Sequence, residues 1–194
     1  MIKIRRDKEI HRKDGDWFSA RWHFSFDSYR DPEYVGFGPL RVFNDDRLVA
    51  GADWPMHPHK DIEGITYVVE GTFEHADSKG NGGILKPGAI QRATLGSGMW
   101  HSERNGSKDE PMRFLQFWIL PDTADLPPSN EQRQFTREDR TDRLLRVLGS
   151  EGGRRRQGPS GRLGLRLRAE LGQGSNPRAR RGQRCLPVPD QRLA

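Results

Sequence analysis

From Trp17 to Pro121 the chain is written in short apolar or alternating runs, broken by Gly, Pro, Asn, Asp and Ser at intervals of roughly ten residues. No 3.6-residue apolar period runs through that stretch. Such a pattern buries side chains only by pairing many short strands, so it predicts an all-β fold, an antiparallel sandwich or small barrel. The clearest strands are Leu40 to Phe43, Gly64 to His75, Gly83 to Leu85, Ile90 to Leu95 and Arg113 to Leu120. Asp77 to Gly83 is a run of turn formers that supplies positive φ cheaply, and it predicts a hairpin. Lys86-Pro87-Gly88 and Gly96-Ser97-Gly98 read as tight turns.

The 194 residues allow one ordinary β-rich domain with a real core, and no second full domain. After Pro121 the texture changes. Residues 122–150 are polar, with Arg and Asp alternating with a few leucines, and read as a connector: a loop with room for one short helix. Residues 151–194 hold eight Gly, four Pro and eleven Arg but no Lys, His, Met, Ile, Thr or aromatic residue. A segment like that cannot bury enough surface to offset its chain entropy, so it reads as a disordered, non-globular tail. Two origins fit the composition: a reading-frame shift near Gly153, or a native Arg/Gly-rich tail. Translating the coding DNA in the other two frames separates them.

The tail also explains the net charge of +6, because residues 1–150 carry 22 basic and 24 acidic side chains while 151–194 carry 11 and 3. A folded part at −2 has no electrostatic support for nucleic-acid binding. The single cysteine, Cys185, excludes an intramolecular disulfide and a thiolate metal cluster, which fits a reducing cytosol. The N-terminus has charges with no apolar stretch behind them, and no segment reaches the length that spans a bilayer. The expectation is a cytoplasmic protein with no membrane partner.

Chemistry concentrates at two places. His57-Pro58-His59 puts two imidazoles on one face of extended backbone, about 7 Å apart at Cα, close enough to share a metal ion. Pro58 enforces the extended conformation at His57. Forty-two positions after His59 the device recurs as His101-Ser102-Glu103, after a Gly-rich turn. If the two segments are neighbouring strands, three nitrogens and one oxygen converge and leave positions open on an octahedral ion, unlike a closed structural zinc site. Glu63, four residues after His59, competes for the carboxylate role. His11, His23 and His75 read as ordinary surface or packing residues.

The first cupin motif is Gly, five residues, His-x-His, three or four residues, Glu, six residues, Gly. Gly51, His57, His59 and Glu63 follow it, but seven residues separate Glu63 from Gly71. The second motif, Pro-x-Gly-x-x-His, is absent after Pro87-Gly88. A variant of the superfamily fits better. His23-Phe24-Ser25-Phe26, Asp31-Pro32-Glu33, Gly36 to Val42, His57 to Asp61, Tyr67 to Gly71, Glu74 to Asn81 and Gly98 to Glu103 together resemble the pirin family.

That resemblance implies a cupin barrel over residues 1–121, with metal ligands His57, His59, His101 and Glu103, and it gives Glu63 a supporting duty. It implies iron(II) first, with zinc, manganese, nickel and copper accepted by the same donors. It also implies two cupin domains, of which this sequence supplies the first; the Arg/Gly tail stands where the second would begin. Two functions follow from the resemblance. One is a dioxygenase that takes dioxygen and a small aromatic substrate, a flavonol such as quercetin, with Glu103 as ligand and catalytic base. The other is a non-enzymatic metal-binding sensor acting on a protein partner.

Overall fold

Along Leu40–Leu48 the side chains alternate strictly. Val42, Asn44, Asp46 and Leu48 are buried, Arg41 and Arg47 are exposed, and Phe43 and Asp45 are half-buried. That period of two places one face of a sheet inside a barrel. The protein, a computed structural model, is described over residues 4–150 and in its backbone at 165–166. The expected tail, residues 151–194, falls outside the described residues apart from a two-residue pairing of Gly149–Ser150 with Leu165–Arg166.

The strands are β1 (His11–Asp14), β2 (Phe18–Trp22), β3 (Leu40–Leu48), β4 (Asp53–His59), β5 (Glu63–Glu70), β6 (Phe73–Asp77), β7 (Gly82–Leu85), β8 (Ala89–Thr94), β9 (Met99–Asn105), β10 (Met112–Ile119) and β11 (Ser129–Gln134). They form a seven-stranded sheet, β1-β2-β3-β10-β5-β8-β11, facing a four-stranded sheet, β4-β9-β6-β7. Every pairing is antiparallel. The all-β, cupin-like barrel expected from the sequence is therefore present.

Two expectations need correction. Gly64 to His75 is not one strand: it breaks at Gly71, where φ is +79° and an added Cβ would lie 2.5 Å from the Pro111 carbonyl oxygen. At that point the chain leaves the large sheet for the small one. The connector is also more than a loop. It contains the expected short helix, α1 (Arg137–Arg140), capped by Thr136, but Ser129–Gln134 is an edge strand on β8. Its sequence, Ser-Asn-Glu-Gln-Arg-Gln, carries no apolar alternation because its side chains bond to polar partners rather than packing in oil.

The barrel interior is layered. One end is filled by Leu48, Val68, Phe73, Leu85, Ala89, Met112 and Phe114, with Trp17, Ala52 and Trp54 against them. Above this lies a polar layer. Asn44, Gln116, Thr66, Gln91 and Gln132 are cross-strand partners in one line across the large sheet. Glu103 and His75 face them from the small sheet. Gln116 Nε2 donates to Glu103 Oε1 at 2.9 Å, and His75 lies between Gln132 Oε1 at 2.8 Å and Gln91 Nε2 at 3.0 Å. These bonds join the two sheets while giving the buried Glu103, His75 and Gln91 side chains hydrogen-bond partners.

The outer face of the large sheet packs separately: Ile65, Ile90 and Phe135 are covered by Leu145, Val147 and Leu148. The connector docks at Gly96, where φ is +35° and an added Cβ would lie 1.8 Å from the Leu126 carbonyl oxygen. Ser97 N–H donates to that oxygen at 2.9 Å. Gly96→Ala is expected to cost at least ~2 kcal/mol, a fall of several degrees in Tm. An unchanged melting curve would show that the connector does not dock here.

Candidate metal centre

β4 and β9 are neighbours, and their register sets His57 directly opposite His101, with Trp54 opposite Glu103 across a bulge. The i, i+2 spacing keeps each pair of side chains on one face, as the sequence requires, and the fold turns both faces inward. The ligand nitrogens of His57, His59 and His101 all lie within 4.8 Å of one another. Their ring centroids are 4.5 to 5.1 Å apart.

The protonation pattern suits a cation. His57 Nδ1 lies 2.8 Å from the Pro55 carbonyl oxygen, an acceptor only, so Nδ1 carries the proton and Nε2 keeps a free lone pair. His101 Nε2 is buried and has no hydrogen-bond partner. Burial, reinforced by His57, lowers the pKa of His59 to about 4. Burial, then His57 and His59, lowers that of His101 to about 3. Both rings are neutral at pH 7, the form that binds metal. An orphaned buried nitrogen among neutral imidazoles is the donor set of a single divalent ion.

Glu103 sits one step deeper on β9. Its carboxylate is not part of the histidine group; it accepts the hydrogen bond from Gln116 and is 5 % exposed. Burial raises its pKa to about 7, against a lowering by the Gln116 bond. Asp46, equally buried, is raised well above the ordinary carboxylate range by burial first, then by Glu103 and Asp45.

Glu63 points the other way. Its parity on β5 is that of Ile65 and Tyr67, on the outer face, where Glu63 Oε2 accepts from Arg92 at 3.2 Å and Thr94 Oγ1 at 3.0 Å. Arg92 also pairs with Glu131 at 2.9 Å. The two carboxylates thus lie on different faces: Glu63 is on the outer side of β5, and Glu103 is inside the barrel.

The remaining histidines divide. His23 stacks on Phe43 at 4.3 Å and His11 on Tyr29 at 4.0 Å, both packing roles. Of the two roles expected for His75, surface or packing, the structure shows packing: it is inside the barrel, 8 % exposed. Gln116, Asp46 and Trp118 were not singled out in the sequence. Trp118 meets the His59 ring at 4.6 Å and Phe26 at 5.4 Å, giving the cluster an aromatic wall. Parity is the available signal: Gln116 is polar between Phe114 and Trp118 on one strand face, and Asn44 and Asp46 are a polar pair between Val42 and Leu48 on another.

A two-sheet antiparallel barrel with three histidines converging from adjacent strands defines a cupin-type protein with a mononuclear metal site. The sequence model of the Pirin family matches residues 3–119, and the chain belongs to that family. It is 44% identical over 136 residues to the Escherichia coli K12 protein named quercetin 2,3-dioxygenase, covering 70% of this chain and 58% of that one. It is 40% identical over 145 residues to a pirin-like protein of Caulobacter vibrioides, covering 75% of this chain and 62% of that one. Among solved structures it is similar to the Escherichia coli pirin YhhW in complex with nickel(II), with TM-score 0.68, 42% identity, and coverage of 70% and 59%. The chain thus spans less than two thirds of the length of these relatives. Among the described residues no helix is long and apolar enough to cross a membrane.

Proposed function

We propose that this chain is a metal-dependent dioxygenase acting on flavonols such as quercetin, with one ion held by His57, His59, His101 and Glu103. The observation that carries the reading is the unpartnered, buried His101 Nε2 within reach of two further imidazole nitrogens. Iron(II) is the first candidate; nickel, manganese, zinc and copper suit the same donors. A bound ion would supply Lewis acidity and a conduit for electrons between substrate and dioxygen.

The protein's own part is proton handling and orientation. Glu103, with a pKa near 7, is matched to accept the proton of a flavonol hydroxyl at neutral pH and to hold it in a site shielded from water. Trp118 offers a flat apolar surface beside His59 for a planar ring. The names of the relatives support this substrate class.

Metal analysis of the purified protein, with oxygen uptake on quercetin, tests the proposal. Turnover that disappears in His57→Ala and His101→Ala is the expected result. Full metal occupancy with no oxygen uptake would overturn the enzymatic reading in favour of a metal sensor that acts through a protein partner.

A further inference from the structure

The amide of Gln116 joins the two sheets at the point where the metal cluster meets the core. It stands in the middle of β10, which is hydrogen-bonded on both sides, to β3 and β5. Its cross-strand partners on those strands are Asn44 and Thr66, 2 % and 4 % exposed, so the side chain is flanked by buried neighbours on a rigid surface. From there Nε2 reaches across the barrel to Glu103 Oε1 on β9, at 2.9 Å. A carboxylate has two oxygens, and a donor fixed on one of them sets the direction of the other.

We infer that Gln116 is a positioning residue: it orients the Glu103 carboxylate so that Oε2 is the oxygen available to an ion on His57, His59 and His101. This rests on the metal-site reading above but assigns a new role, to a residue that acts on the ion through its hydrogen bond to Glu103. Glutamine suits the role because it donates without carrying charge. A lysine or arginine there would neutralise the ligand, and a leucine would leave it unanchored in a dry barrel. The opposite function is also testable, because a bond that holds Glu103 back from the histidines would weaken metal binding, and its loss would tighten it.

The experiment is nickel(II) titration calorimetry on the full chain, in a double-mutant cycle of Gln116→Leu and Glu103→Gln. Gln116→Leu is expected to lower nickel affinity roughly 10- to 100-fold, the usual effect of removing a residue that orients a ligand. In the Glu103→Gln background the same substitution should change affinity less than about twofold, because its route to the ion is already gone. Gln116→Asn keeps an amide but shortens its reach, and should reproduce the loss if the leucine variant fails to fold. Unchanged or increased affinity in folded Gln116 variants would overturn the inference, and so would an equal loss in both backgrounds, which indicates a general effect on the barrel. His101→Ala separates the two levels: if it leaves nickel affinity intact, the metal site itself is wrong.

Discussion

Replacing His101 with alanine is expected to lower divalent-metal affinity at least tenfold while leaving the metal-free barrel as stable as before, or more so. His101 belongs to the three-histidine group that could hold the ion, so on the proposed reading the loss on the metal side is direct. On the folding side it holds little. Its Nε2 makes no hydrogen bond, and β9 stays paired to β4 and β6 through its backbone. Removing a buried polar atom that has no partner relieves a desolvation cost. His57→Ala should behave alike toward metal.

Glu63→Gln should show the reverse signature: metal affinity unchanged, and stability lower by about 1–3 kcal/mol as Arg92 loses a buried counter-charge. Calorimetric metal titration and thermal melts of the metal-free proteins read both quantities. A Glu63→Gln protein that cannot bind metal, beside a Glu103→Gln protein that can, would reverse the assignment of the carboxylates.

The second large effect is with pH. In the metal-free barrel Glu103 keeps its proton up to about pH 7, whereas His59 and His101 stay neutral down to about 4 and 3. An ion must displace the Glu103 proton below pH 7, so apparent affinity should fall about tenfold per pH unit between 7 and 5. Glu103→Gln should flatten that slope. A wild-type slope that survives in Glu103→Gln would assign the proton to another group.

Metal-free stability follows by linkage, with opposite signs. Glu103 is raised, so its contribution is present at acid pH and lost as pH rises from the ordinary carboxylate range through about 7. The two histidines are lowered, so theirs is present above 6.5 and lost as pH falls toward 4 and 3. Asp46 is raised as well and acts with Glu103, so above pH 6.5, where the two histidines no longer contribute a change, the buried carboxylates should make metal-free stability fall as pH rises. Melts across pH 6.5 to 8 check this, and a stability that rises over that range would contradict it.

Much of this was legible in the chain because it is local. The runs Leu40 to Phe43 and Arg113 to Leu120 mark strands wherever they are placed, although the first extends in the structure to Leu48, and turn residues at Asp77 to Gly83 mark the hairpin between β6 and β7. His57-Pro58-His59 and His101-Ser102-Glu103 share faces by backbone geometry alone. The missed strand β11 has a non-local cause. Gln132 sits exposed on a wholly polar edge strand, and its hydrogen-bond partner His75 lies fifty-seven residues earlier in the chain.

By itself, then, the sequence determined the all-β class, the shared face of His57 with His59 and of His101 with Glu103, and the turns between strands, all set by periodicity and turn chemistry. Only the tertiary structure decided the rest. It put Glu103 inside the barrel and Glu63 on the outer face, set His75 inside, and brought Gln116 against Glu103. Side-chain direction repeats every two residues along a strand, but which face is the inside, and what waits across it, depends on a partner strand that local spacing does not encode.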